Sequence, residues 1–172
     1  RAQLDLSSIR VALSGAEVVR PETIDLFCDT FASCGFKRSS FLPTFGLAEA
    51  TLFVTGAVKE TRPLFKRVLA DELSQNKVVL AEEGASAKTL TLVSNGKSTL
   101  QGRVAIVDSV SKKTLPAGEV GEIWSAGPHI AQGYWKKPEA TEETFAGYTA
   151  EGDGPFMRTG DLGCLIDGEL YI

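Results

Sequence analysis

Ile9-Arg10-Val11-Ala12-Leu13-Ser14-Gly15-Ala16 opens a run that closes at Ser40-Phe41-Leu42-Pro43-Thr44-Phe45-Gly46, and the reading of that run decides the fold. Residues 9–13 are short and β-rich, and Ser14-Gly15-Ala16 ends them, so a strand is expected there. Pro21 and Glu22 then open a helix, with proline in a first-turn position and an acid near the positive end of the helix dipole. Ile24, Phe27, Cys28 and Phe31 fall at i, i+3, i+4 and i+7, one helical face, so Cys28 is expected to pack as a small core residue. Gly35 stops the helix, and Ser40 to Phe45 is the next strand. Strand, helix and strand in this order predict a parallel βαβ unit, with ligands at the carboxyl ends of the strands.

Those ends are Ser14-Gly15-Ala16-Glu17 and Thr44-Phe45-Gly46-Leu47-Ala48-Glu49-Ala50-Thr51, two glycine-bearing turns on one rim. Gly46 admits backbone conformations closed to other residues and lets a ligand approach the main chain. A ring at Phe45 and a lone acid at Glu49 suit an aromatic group and a metal–phosphate group. The same residues also read as a strand end, a tight turn and a surface glutamate. Ser14-Gly15-Ala16-Glu17 likewise reads either as open backbone against which a flat base could lie, or as a plain strand-to-helix turn.

Further along, Leu64 to Val68 is expected as a strand, Asp71-Glu72-Leu73 as one helical turn, Lys77 to Ala81 as a strand and residues 82–87 as a loop. From Thr89 the chain turns β-rich. Strands are expected at Thr89–Ser94, Val104–Val107, Gly121–Ala126 and Cys164–Ile172, with turns at Asn95-Gly96, 116–118 and Asp167-Gly168. Pro138 to Phe145 reads as a short helix. The expected fold is therefore α/β: the end of a parallel βαβ layer, followed by a β-rich partial barrel. The boundaries fall at 1–57 for the α/β part, 58–99 for an insertion-like segment with connecting strands, and 100–172 for the β-rich part.

The chain has 172 residues, 43% hydrophobic and 23% charged, the composition of an ordinary globular protein. That length can bury roughly two-thirds of the surface exposed by the unfolded chain. Its net charge of −4, from 18 basic and 22 acidic residues, gives no support for nucleic acid as a partner. No apolar run is long enough to span a bilayer. Cys28, Cys34 and Cys164 are odd in number and form no C-x-x-C, which argues against a disulfide scaffold or zinc site and suits a reducing cytoplasm. The single histidine, His129, is expected in a loop or capping role. Arg1 begins without Met and Leu170-Tyr171-Ile172 stops within an expected strand, so the chain is expected to be a piece of a larger protein.

Gly96-Lys97-Ser98 imitates the end of a phosphate loop, but that pattern needs a glycine where this chain has Thr91, and a hairpin turn is expected instead. Arg158-Thr159-Gly160-Asp161-Leu162-Gly163 is more informative. An aspartate between glycines at a strand entrance can accept hydrogen bonds from two neighbouring hydroxyls, such as those of a ribose, and its charge strengthens both. A turn in which Asp161 satisfies backbone N–H groups is the alternative.

In this order the motifs resemble the adenylate-forming superfamily. Gly121-Glu122-Ile123-Trp124-Ser125-Ala126-Gly127, then Gln132-Gly133-Tyr134-Trp135 and Pro138-Glu139-Ala140-Thr141, are similar to its middle motif. Thr44 to Leu52 looks like the fatty acyl-AMP ligase branch, as does Arg158 to Gly163 with Gly168-Glu169-Leu170-Tyr171-Ile172. The resemblance covers essentially the whole chain and is weakest over 57–100. It implies part of the N-terminal domain of an enzyme that uses ATP and Mg²⁺ to convert a long-chain fatty acid to acyl-AMP. The acyl group then passes to the phosphopantetheine arm of an acyl carrier protein, often for polyketide or lipopeptide assembly.

By the same resemblance Gly15, Ala16 and Glu17 line the adenine site, Phe45 covers the base and Gly46 lets the main chain approach the nucleotide. Asp161 binds the ribose, and Glu49 is the catalytic, Mg²⁺-linked carboxylate. Ala48 stands where many superfamily members have threonine. Residues about 58–80 would be the insertion thought to restrain the C-terminal domain and disfavour coenzyme A. A phosphate loop upstream and a lysine-bearing C-terminal domain downstream are expected outside the chain, so the chain alone is expected not to adenylate. Related alternatives are an acyl-CoA ligase or an amino-acid-activating domain. A catalytically silent ligase-like binding module is an alternative of another class.

Overall fold

The computed structural model describes residues 4–57, 63–98 and 101–172. Strand β1 (Ala12–Ser14) leads to helix α1 (Pro21–Ala32) and strand β2 (Phe41–Phe45). The two strands pair in parallel, Ala12 opposite Phe41 and Ser14 opposite Pro43, so the β–α–β unit forms as the sequence predicts. Pro21 starts the helix, Ile24 and Cys28 are buried beneath it, and Phe27 meets the rings of Phe31, Phe36 and Phe41 at 4.9, 5.1 and 5.9 Å. Ile24 is fully buried, and truncating such a side chain to alanine costs about 2–5 kcal/mol. Gly35 closes the helix with φ +83°, while Phe36 N–H donates back to Phe31 O at 3.1 Å.

β3 (Thr55–Gly56) and, later, β6 (Lys97–Ser98) extend β2 in antiparallel fashion. Between them β4 (Phe65–Leu69), helix α2 (Ala70–Leu73) and β5 (Thr89–Val93) form a separate two-stranded ribbon. The last part is a curled antiparallel sheet of β7 (Arg103–Val107), β8 (Gly121–Ala126), β9 (Met157–Ile166) and β10 (Glu169–Tyr171), with helix α3 (Pro138–Phe145) inserted before β9. All six residues of β8 are buried. Ile106, Ile123, Met157 and Leu170 from this sheet share one apolar cluster with Phe45, Ala50 and Val54.

Ser94-Asn95-Gly96 joins the two larger sheets. Asn95 N–H donates to Leu170 O and Leu170 N–H donates to Gly96 O, both at 2.8 Å. Ser94 Oγ donates to the Glu169 carboxylate at 2.7 Å, and Asn95 Nδ2 donates to Thr44 O at 3.0 Å. A hairpin turn was expected here and at Gly96-Lys97-Ser98. Instead β5 and β6 belong to different sheets, so Asn95-Gly96 is a connector whose polar groups serve as tertiary links.

Other expectations shift. The first strand lies at Ala12–Ser14, beginning three residues and ending one residue later than the 9–13 predicted. Residues 77–81 form no strand: only two isolated bridges occur, Lys77 with Glu119 and Val68 with Leu80. Asp161 lies inside the ten-residue β9 rather than at a strand entrance. Residues 164–172 hold the end of β9, the turn at 167–168 and β10. Residues 58–62 of the expected 58–80 insertion lie outside the described residues, as do 99–100.

No disulfide joins the three cysteines. Burial pushes the Cys164 thiol up to about 11, so it is a neutral core group at physiological pH. Among the described residues no helix is long and apolar enough to cross a membrane.

Candidate active site

The ends of β1 and β2, the connector Asn95 and the middle of β9 enclose a cavity of about 180 Å³. Ala16, Glu17, Phe45, Gly46 and Asp161 all line it, so residues from two different sheets meet as the motifs require. Phe45 and Asp161 face the same space. Among the described residues no lysine or arginine lines it.

The corner after β1 is held by backbone contact. A Cβ on Gly15 would stand 2.7 Å from Thr44 O, and Thr44 Oγ1 donates to Ser14 O at 3.3 Å. Gly15 itself therefore packs against β2 and is not among the lining residues. The left-handed backbone falls on Ala16, with φ +70°, a conformation uncommon for a residue with a Cβ. Gly46 does not use the special backbone conformation expected of it. Its φ is not in the left-handed range; a Cβ there would meet Leu52 O at 1.5 Å, so the turn of the chain upon itself is what excludes a side chain. Phe45 keeps only 8% of its surface exposed and is mainly a core residue.

Asp161 is presented by a bulge. Glu122 pairs with Leu162 and Trp124 with Arg158, so Ile123 alone faces Thr159-Gly160-Asp161. Extra residues in one strand push it outward and re-aim its side chains. Gly160 takes φ +78°, Thr159 Oγ1 donates to Ile123 O at 2.7 Å, and Asp161 N–H donates to Thr159 Oγ1 at 3.1 Å. Gly160 N–H donates to Glu122 Oε1 at 3.3 Å. Glu122 is buried and in turn accepts from Arg158 at 3.0 and 3.3 Å. Burial works against its ionisation, but the hydrogen bonds and charge of Arg158 and the Gly160 N–H outweigh that and hold it below the usual glutamate range. The Trp124 indole N–H meets no acceptor in hydrogen-bond geometry, which leaves Arg158 as the effective side-chain partner.

No hydrogen bond or ion pair to the Asp161 carboxylate occurs among the described residues, and partial burial raises its pKa. The carboxylate is solvent-exposed at the edge of the cavity, so its oxygens are free to accept from a bound diol.

The neighbouring residues on the same two segments line a second cavity, of about 270 Å³. Leu47 follows Gly46 there, and Arg158, Thr159 and Gly160 precede Asp161. Glu49 lies in this second space, on a short 3₁₀ turn over Ala48–Ala50, not in the first. Its Oε1 accepts from the Tyr134 hydroxyl at 2.7 Å, which raises the phenol pKa, helped by some burial. Sequence reasoning assigned no role to Asn95, Glu122, Tyr134 or Arg158. The last three stand inside quoted motifs, but their partners are far away in sequence, Glu122 with Arg158 and Tyr134 with Glu49, and cannot be read locally. Asn-Gly is a local turn signal, so Asn95 reads from the sequence as a turn residue.

A β–α–β layer seamed to a curled antiparallel sheet, with an open carboxylate over the seam, defines a class: the chain belongs to the AMP-binding enzyme family, whose profile matches residues 1–135. Among particular relatives, it is similar to the medium-chain-fatty-acid–acyl-carrier-protein ligase JamA of Moorena producens, 42% identical over all of this chain and 29% of that protein. It is 37% identical to the long-chain-fatty-acid–AMP ligase FadD32 of Mycolicibacterium smegmatis, over 98% of this chain and 28% of that protein. The crystal structure of a fatty acyl-adenylate ligase from L. pneumophila, in complex with acyl adenylate and pyrophosphate, superposes with TM-score 0.91 at 37% identity, covering 98% of this chain and 29% of that one. The α/β class with a partial barrel, expected from the sequence, is the observed fold. The chain spans less than a third of the length of these relatives.

Proposed function

We propose that this chain is the nucleoside-holding part of a ligase that activates a fatty acid with ATP, forming acyl-AMP for transfer to an acyl carrier protein. The observation that carries the reading is the unpartnered Asp161 carboxylate on the cavity that also holds Ala16, Glu17, Phe45 and Gly46. A ribose diol supplies two donors to one charged acceptor. The adenine then lies toward the β1 corner, against Ala16 and Glu17, with Phe45 beside it and Gly15 fixing the corner behind. A cavity whose described lining has Glu17 and Asp161 and no lysine or arginine suits the uncharged nucleoside and not its phosphates.

The phosphates belong on the side of the second cavity. There Glu49 and Glu143 are acidic, and Arg158 is engaged by Glu122. A polyphosphate beside them needs a cation. Among the described residues no group of three or more His, Cys, Asp or Glu is placed to cage a metal. Magnesium suits such a sparse donor set, since it takes one or two carboxylates together with phosphate oxygens and water. Glu49 is the carboxylate for it, and the ion would neutralise charge as the α-phosphate is attacked.

The carrier-protein acceptor rests on the names of relatives such as JamA, and the unbridged cysteines suit a cytoplasmic setting. The long-chain acid implied by the motifs and the medium-chain acid in JamA's name make chain length the variable of the assay. The test is fatty-acid-dependent ATP–pyrophosphate exchange by the full-length protein, with carrier protein and coenzyme A compared as acceptors. The reading predicts exchange and transfer to carrier protein. Absence of exchange with every acid tested, by a protein that binds AMP, would support a silent binding module instead.

A further inference from the structure

Tyr134 is fixed from behind before it reaches Glu49. Its backbone N–H donates to Thr141 Oγ1 at 2.9 Å, and Thr141 Oγ1 donates to Lys137 O at 2.7 Å. The Tyr134 ring meets Phe145 near edge-on at 5.3 Å. Gly133 has φ +141°, and a Cβ there would come 2.3 Å from Thr141 Cγ2. Helix α3 thus clamps the 133–134 corner through both backbone and ring.

From that corner the hydroxyl reaches across to Glu49 Oε1 at 2.7 Å. Two more bonds tie the same segments together: Ala131 N–H to Glu49 O at 2.8 Å, and Thr51 Oγ1 to His129 O at 2.6 Å. Glu49 makes no ion pair among the described residues, and the one basic residue lining its cavity, Arg158, is held by Glu122. The Tyr134 hydroxyl is the donor that the structure gives to the Glu49 side chain.

We propose that Tyr134 is a positioning residue for Glu49: by occupying Oε1 it fixes the carboxylate's rotation and leaves Oε2 as the oxygen presented to a divalent cation. This rests on the reading of Glu49 as the cation-linked carboxylate. The physical reason is orientation. A glutamate has three side-chain torsions, and ordering it at the moment of binding costs part of the binding free energy. A short O–H···O⁻ bond from a clamped ring settles that orientation beforehand. Partners that orient a metal ligand in this way typically control affinity by about 10–100-fold.

The test uses the full-length protein and Mn²⁺ as the probe, followed by electron paramagnetic resonance in the presence of a saturating, non-hydrolysable ATP analogue. Tyr134→Phe is expected to weaken Mn²⁺ binding about 10–100-fold while leaving AMP affinity without metal, and the melting temperature, close to wild type. Glu49→Gln should lose Mn²⁺ binding more completely, and adding Tyr134→Phe to it should change nothing further. Unchanged Mn²⁺ binding in Tyr134→Phe, with loss in Glu49→Gln, overturns the proposal alone. Unchanged binding in both overturns the reading of Glu49. Loss of metal-free AMP affinity in Tyr134→Phe would make the residue merely structural and also overturns the proposal.

Discussion

Asp161 in β9 and Gly46 at the end of β2 line one cavity although their strands belong to different sheets. If that carboxylate grips a ribose, Asp161→Asn in the full-length protein should weaken AMP binding severely. A hydrogen bond to a charged group is worth about 1.5–3 kcal/mol, and two are at stake, so a loss of at least about tenfold is expected. Titration calorimetry with AMP measures it, and unchanged affinity removes Asp161 from the site.

The same substitution should stabilise the empty protein. Partial burial raises the Asp161 pKa above its ordinary 3.8, so between that value and the raised one the folded state holds a proton that the unfolded state has lost. Stability therefore falls as pH rises through that window and stays lower above it. Asp161→Asn removes the charge, so its melting temperature without ligand should exceed wild type at neutral pH. The difference should vanish below the ordinary aspartate range. A lower melting temperature at neutral pH would mean the carboxylate has a stabilising partner.

Breaking the Glu122–Arg158 pair should act in the opposite direction. Arg158→Met leaves a buried carboxylate without its partner, which costs about 3 kcal/mol. Glu122 has a lowered pKa, so its stabilising contribution is present above the unfolded value of 4.5 and is lost as pH falls through the folded value. Chemical denaturation across pH should show a full deficit near neutrality that closes in acid. Because Glu122 Oε1 also accepts from Gly160 N–H, AMP affinity should fall alongside, through disorder of the bulge.

Gly46→Ala separates two roles for that glycine. The Cβ would collide with Leu52 O, so a loss of about 3 kcal/mol or more is expected with no nucleotide present. Gly84→Ala, where nothing lies within 4 Å and only φ +80° is at issue, should cost about 1–2 kcal/mol. If Gly46→Ala melts like wild type and loses only nucleotide affinity, the glycine serves the ligand instead.

The β–α–β unit was legible because Pro21, Gly35 and the Ile24–Cys28 spacing are local signals that burial then reinforces. The resemblance singled out Ala16, Glu17, Phe45, Gly46 and Asp161, which line one cavity, and Glu49, which lines the next. What escaped was whatever depends on pairing between segments distant in sequence. The bulge that presents Asp161 exists only because Glu122 and Trp124 are out of step with β9, and no single segment encodes that. Lys77 to Ala81 has the β-rich look of a strand, yet its partners offer single bridges and no ladder. Asn95-Gly96 carries a strong turn signal, and tertiary hydrogen bonds to Thr44 and Leu170 override it.

Those bonds of Asn95 have a temporal consequence. Thr44 leaves the ribosome early and Leu170 late, and domains tend to consolidate from the N-terminal side during synthesis. Asn95 Nδ2 can reach Thr44 O as soon as it is made, but the Asn95 N–H and the Gly96 carbonyl stay unsatisfied, and the connector unanchored, until Leu170 has emerged to meet them. A nascent chain stopped before β10 should therefore be unable to retain AMP, even with every β1 and β2 residue already made.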